Sequence, residues 1–550
     1  MKEGIKRWEQ RLFWGLAMRS QRADGRPYVR IVWGRLLLGC VILSIICWVS
    51  LFSAVFLYFK YIREDFKGIT YIETLLLPFR LEAHQKMIGD YHIEQGLLAL
   101  EEDRLGEALR LLRLGLARSQ SNIRGRRALA QLYHEVSLQE VFPRELVLLL
   151  LEDGMPYGKT DIAYLKLYFD ILFDYEQDER VLEIAHQVLS EERSPQEIVR
   201  LAALAAASAC YYRGRDTEAD AYLRDYHLQN TLDGAIVAAR MLWDRGQRRE
   251  AVDRLEASLK RFHKPEPLLE LLVHFCSLME DYPRVLRYAT LRLGQDSKAY
   301  EPRLALISAY HDSGSPDAAQ RETKSFIRQF RKNPSALLAL SKFAIKTHDV
   351  SLSQRLYETS IEFGMPQVSL LAVDLVECVL SARDYQAVIE LIGEFVDEGP
   401  SWLSTTYGIP IFNALRAVAY HGQGDAILSQ SHFNRFFQED LSIESMVGIA
   451  GYFQEHGAEE LARQILLRAY QKDQNRQSVL TPLIQTELAL GYTQNLSTYF
   501  VQMLQLRLPP QEFLENAYIQ LAKDYFMFVP GREAILDAIG ALTSKYKASS

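Results

Sequence analysis

The residues able to do chemistry are plentiful in this chain, but their spacing does not suit it. Twelve histidines are scattered singly. Neither His421 with His432 nor His311 by itself makes a metal-ligand set, which needs several donors converging on one point. There is no HExxH, no GxxxxGK[ST], no GxGxxG after a strand and no GxSxG, so the common hydrolytic, phosphate-binding and dinucleotide-binding signatures are missing. Acid pairs such as Glu101-Glu102 and Glu191-Glu192 read as solvated helix faces. The five cysteines include no CxxC. Cys40 and Cys47 fall in an apolar stretch, and Cys210, Cys276 and Cys378 are too far apart to suggest a zinc ribbon or a redox motif. The expectation is a protein without catalysis, cofactor or metal, whose side chains act by binding.

The elements that would position such side chains begin with an apolar run, Leu36 to Phe59, of 24 residues without a charge. As a helix it would be about 36 Å long, enough to cross a hydrocarbon core of about 30 Å. Nine Lys or Arg precede it (Lys2, Lys6, Arg7, Arg11, Arg19, Arg22, Arg26, Arg30, Arg35) and only Lys60, Arg63 and Lys67 follow closely. The positive-inside bias puts residues 1–35 in the cytoplasm and the remainder across the membrane, in the periplasm of a Gram-negative host. The apolar core is too long for a cleavable signal peptide and lacks a small-residue cleavage site, so it reads as an uncleaved inner-membrane signal anchor. Trp33, Trp48 and Tyr58 are its aromatic residues, and Ser50 and Ala54 form a small-xxx-small pair. Within the arm, Ile5, Trp8 and Leu12 would share one helical face, with Asp24-Gly25-Arg26-Pro27 as a turn before the span. The arm carries a net +6, which leaves −13 after the span against −7 for the whole chain. That sign argues against nucleic-acid binding by the large domain.

From about residue 90 the chain repeats itself. Gly is followed five residues later by Ala at Gly214/Ala219, Gly246/Ala251, Gly314/Ala319 and Gly457/Ala462. Weaker versions stand at Asp103/Ala108, Glu280/Val285, His348/Ser353 and Arg383/Val388, with further turns near Ser137, Glu176, Gly422 and Gly491. Most turns are 34 or 35 residues apart, a period that means a solenoid. In residues 197–226 one helix carries small residues (Ala203, Ala206, Ala207), Arg213-Gly214-Arg215 breaks it, and a second helix presents Ala219, Leu223 and Tyr226 on one face. Neither helix can bury its stripe alone, and stacked neighbours can.

The Gly/Ala pairs, the small residues seven before the turn (Ala207, Ala239, Ala450) and the openings Asp281-Tyr282 and Asp384-Tyr385 resemble the tetratricopeptide repeat family. The resemblance implies an all-α fold, an α-solenoid that is a right-handed superhelix of helix pairs, and the apolar run places a single transmembrane helix before it. The expected divisions are a basic arm (1–35), the span (36–59), a helical connector (60–89), about twelve repeats (90–510) and closing helices (511–550). It also implies that Cys210, Cys276 and Cys378 pack in the core, and that a concave groove lined by first helices holds an extended protein segment. Counting back from each turn, that groove would show Tyr211, Tyr212, Arg240, Trp243, His274, His311, Lys342, Lys346 and Arg416. An aromatic and basic groove in an acidic domain suits a segment with acidic or aromatic side chains; the alternative is that some of these residues pack between units. The insertion GPSWLSTTYGIP, residues 399–410, offers Trp402 and Tyr407 as a candidate interaction loop; the alternative is an ordinary insertion without a role.

Together these features lead to an expected membrane-anchored scaffold, bound to the bilayer through 36–59 and to other proteins through the repeats. It would organise an envelope complex for secretion, pilus, polysaccharide or outer-membrane assembly. The alternatives are a periplasmic holdase or translocon accessory, and a subunit that presents substrate to a catalytic partner.

Overall fold

The computed structural model describes residues 10–12, 16–21, 26–62, 70–102, 104–137, 144–191, 194–262, 266–296, 298–365, 367–399 and 408–547. They divide into two compact units, one up to Gly158 and the other from Lys159 onward.

The first unit opens with three antiparallel strands, β1 (Gln10–Leu12), β2 (Ala17–Gln21) and β3 (Pro27–Ile31), in the order β1-β2-β3 with Arg19 opposite Val29. The expected amphipathic helix is therefore corrected at Leu12, which ends β1; Ile5, Trp8 and Asp24-Gly25 lie outside the described residues. Three apolar residues at helical spacing cannot hold a short helix by themselves, and the β-branched Val29 and Ile31 favour extended chain. The apolar helix follows as Trp33–Leu57, within which an 18-residue stretch has a mean hydropathy of 2.6 and is 6% buried. It starts three residues before the apolar run does. It is long and apolar enough to cross a membrane. A π turn, Tyr58–Ile62, continues it. The Trp48 indole donates to the Leu75 carbonyl (3.1 Å), and its ring packs on Phe79 (5.5 Å). Helices Leu81–Glu101, Leu105–Arg118 and Ile123–Ser137 come next.

The second unit is a succession of antiparallel helix pairs, from Ile162–Asp174 with Asp178–Leu189 to Gln477–Leu490 with Leu496–Gln505. Helices Gln511–Leu521 and Arg532–Lys547 follow them. Each pair turns on one residue with left-handed backbone: Glu176, Gly214, Gly246, Glu280, Gly314, His348, Arg383, Gly424, Gly457 and Gly491. At Gly214 the amide bonds the Tyr211 carbonyl and the next amide, Arg215, bonds the Cys210 carbonyl. These two hydrogen bonds satisfy helix-end carbonyls that would otherwise lack partners. The same pattern recurs at Gly314 and at His348.

Nine of these turns fall where the period places them. The tenth is corrected from Gly422 to Gly424, because Gly422 is still helical and the Tyr385 ring stands where its Cβ would be. Aspartates then start the second helices: Asp281, Asp349, Asp384 and Asp425 accept hydrogen bonds from the amides of Arg284, Leu352, Ala387 and Leu428. The small residues sit where helices cross, with Ala207, Ala219, Ala239, Ala251, Ala450 and Ala462 all fully buried.

Candidate functional site

The groove candidates all lie on first helices of the pairs. Tyr211 and Tyr212 end Gln196–Tyr212; Arg240 and Trp243 lie on Leu232–Asp244; His274 lies on Glu266–Leu278. His311 belongs to Glu301–Asp312, Lys342 and Lys346 to Pro334–Lys346, and Arg416 to Gly408–Gly422. Arg240, His274, His311, Lys342 and Lys346 are exposed, while Tyr211, Tyr212, Trp243 and Arg416 are half-buried.

Most of these side chains also touch the neighbouring unit. The Tyr211 hydroxyl donates to the Asp244 carboxylate, one unit on. Trp243 stacks on Phe275 of the next first helix, with centroids 4.0 Å apart and planes 14° apart, and Arg248 covers the same indole at 5.4 Å. His311 meets the Phe343 ring edge-on at 5.6 Å, and Lys346 Nζ stands 3.6 Å from Asp312 Oδ2. Tyr212 is engaged differently: it packs edge-on against Phe173 at 5.6 Å and lies under the Arg507 guanidinium at 4.5 Å. The face is thus a ladder of contacts between units from which Arg240 and His274 project, with both lysine ammoniums paired to carboxylates of neighbouring units. Trp402 and Tyr407 lie outside the described residues.

Helix Val368–Ser381 holds a polar cluster with no counterpart among the groove candidates except Lys342. Leu371 to Leu380 are all buried, including Asp374 (3% exposed) and Glu377 (8% exposed). Lys342 Nζ lies 2.7 Å from Asp374 Oδ1 and 3.3 Å from Glu377 Oε2, and the Ser341 hydroxyl donates to Asp374. Partial desolvation pulls the Lys342 ammonium down, and the two carboxylates more than offset it, so it titrates above its ordinary value. Burial pushes the Glu377 carboxyl up, opposed by Lys342 and by a hydrogen bond from Tyr452. The sequence signal was present: two acids in the otherwise apolar run VSLLAVDLVECVLS.

Cys210, Cys276 and Cys378 are fully buried, and burial pushes each thiol up to about 11. Such thiols stay protonated near neutral pH and are poor nucleophiles. Among the described residues no three His, Cys, Asp or Glu side chains come together as a metal site.

No protein-family model and no curated protein matches the sequence. Solved structures do. The chain is similar to a structure of Naa15/Naa10 bound to HypK-THB, at 12% identity over 91% of this chain and 80% of that one, with a TM-score of 0.28. It is similar to Pseudomonas aeruginosa pilF at 12% identity, over 47% and 97% of the two chains, with a TM-score of 0.28. It is also similar to a tetratricopeptide repeat protein from Parabacteroides merdae, at 15% identity, over 46% and 98%, with a TM-score of 0.26. Antiparallel helix pairs, buried alanines at their crossings and left-handed turns 34 residues apart at Glu280, Gly314 and His348 give the second unit a tetratricopeptide-like α-solenoid fold.

Proposed function

We propose that this protein is a non-enzymatic scaffold, anchored in a bilayer by Trp33–Leu57, whose repeat array holds other proteins of a cell-envelope complex. The observation that carries the reading is the row of cationic and imidazole side chains on successive first helices. Arg240, His274, His311, Lys342 and Lys346 are exposed on them, in a domain whose net charge is negative. A row of this kind presents the Arg240 guanidinium, two imidazoles and two carboxylate-paired ammoniums, beside the aromatic Trp243, to an extended segment with acidic or aromatic side chains. The exposed apolar surface of Trp33–Leu57 supports the anchor, and the nine basic residues before it support a cytoplasmic amino terminus with the array on the other side.

The test is site-specific photo-crosslinking of the full chain in living cells, with probes at Arg240 and His274. These positions are exposed, whereas a probe at Trp243 would remove its stack on Phe275. One or two discrete envelope partners support the scaffold. A broad smear of nascent chains would favour a holdase, and exclusively cytoplasmic adducts would reverse the topology.

A further inference from the structure

The beginning and the end of the second unit meet. Between helices Leu496–Gln505 and Gln511–Leu521 the chain runs as a short strap, and Arg507 in it reaches back 329 residues to Asp178. Its Nε lies 2.8 Å from Asp178 Oδ2 and its Nη2 lies 2.9 Å from Oδ1, a two-pronged ion pair with a carboxylate that is 1% exposed. The same Nη2 donates to the Phe173 carbonyl at 2.6 Å. On either side, the Leu508 amide donates to the Tyr212 carbonyl (2.7 Å) and Arg213 Nη2 donates to the Gln505 carbonyl (2.7 Å). The Leu508 side chain lies over Gly214. On a separate helix, the Gln477 amide donates to Glu176 Oε2 at 2.7 Å.

The chemistry of these contacts is that of helix ends. Phe173 and Tyr212 lie in the last turns of two successive first helices, whose final carbonyls have no partner within the helix. A guanidinium is favoured there by the helix dipole, and Asp178 is favoured in the first turn of the following helix. The strap thus supplies donors and a cation where the opening pairs present acceptors and an anion.

We propose that the Gln505–Leu508 strap is a clasp that joins the last pairs of the array to the first, and that it opens as one cooperative unit. Closed, it covers Tyr212 and withdraws that ring from anything bound along the first-helix face. Open, it exposes the Asp178 carboxylate, the Phe173 carbonyl and the Tyr212 ring together. Nothing in this proposal depends on the scaffold reading.

Hydrogen exchange of the full chain in detergent micelles tests it. A clasp predicts that Arg507→Ala speeds exchange about tenfold at the Leu508 amide and also at Gln477, thirty residues away on another helix, with Leu371–Leu380 unchanged. Gln477→Pro is the second variant. It deletes the backbone donor to Glu176 and the Gln477 carboxamide together, while a first helical position tolerates proline and Arg476 before it is already extended, and Gln477→Ala, which keeps the backbone donor, separates the two losses. Gln477→Pro should speed exchange at Leu508. Faster exchange confined to 506–508 in Arg507→Ala, or no change at Leu508 in Gln477→Pro, makes the strap a local loop contact and overturns the clasp. If Arg507→Ala also loses protection at Leu371–Leu380, that variant has unfolded and Gln477→Pro decides.

Discussion

The Lys342 ammonium sits 2.7 Å from the carboxylate of Asp374, one unit further along the array, and the lysine is exposed while the aspartate is buried. The pair therefore joins a solvated face to the interior. Removing the cation leaves Asp374 and Glu377 in a buried helix with the Ser341 and Tyr452 hydroxyls but without their countercharge. Lys342→Met should cost about 1–3 kcal/mol, discounted from the fully buried case because the lysine itself is solvated. Adding Asp374→Asn should recover part of that loss. Chemical unfolding followed by circular dichroism measures both, and equal stability in Lys342→Met and the parent would show that the lysine is only a surface charge.

Trp243 and Arg240 share a helix but should respond differently to truncation. Trp243→Ala removes the stack on Phe275 and a half-buried indole, and should cost about 2–4 kcal/mol. Arg240→Ala removes an exposed side chain and should stay within about 0.5 kcal/mol of the parent, while weakening whatever partner crosslinks at that position. Thermal melting of the two variants separates packing from binding; a large loss in Arg240→Ala would make it a packing residue as well.

Glu280 holds left-handed backbone, φ 57°, at a turn where its neighbours in the array use glycine. Non-glycine residues pay about 1–2 kcal/mol for that conformation. Against this, glycine adds freedom to the unfolded chain. The net expectation for Glu280→Gly is a gain of about 0.5 kcal/mol, and for Gly314→Ala, where φ is 72° and nothing crowds the Cβ position, a loss of about 1 kcal/mol. Melting temperatures moving the opposite way would show that the turn is set by something other than backbone strain.

Two half-buried histidines contribute to the response to acid. Burial, with Arg416 and Arg435 nearby, holds the His432 imidazole below its ordinary value; burial, with Arg383 and His421, does the same to His456. The folded state thus binds fewer protons than the unfolded one in the window just below pH 6.5. Stability from these groups is present above that value and is lost as the pH falls through the folded-state values. Between about pH 7.5 and about pH 5.5, the double variant His432→Gln and His456→Gln should lose less melting temperature than the parent. An identical loss in both would assign the acid response elsewhere.

What the sequence determined by itself is local and periodic. A turn followed by a small residue five positions later needs only neighbouring residues to act. That is why the turns at Gly214, Gly246, Glu280, Gly314, His348, Arg383 and Gly457, the openings of second helices at Asp281 and Asp384 and the placement of all nine groove candidates on first helices could be read without coordinates. The burial of Cys210, Cys276 and Cys378 follows from the same register. Tertiary structure decided what depends on distant partners. Gly422 looked like a turn until Tyr385 occupied the space where a side chain would be. Leu12 looked helical until β1 joined β2. Nothing near Tyr212 in the chain announces that Arg507 will cover it, and nothing near Asp374 announces that Lys342 will reach it from the preceding unit. Periodicity specifies how a helix pair folds, because its contacts close short loops. Where the array meets itself is set by the summed small rotations of many units, a quantity that no single segment of sequence encodes.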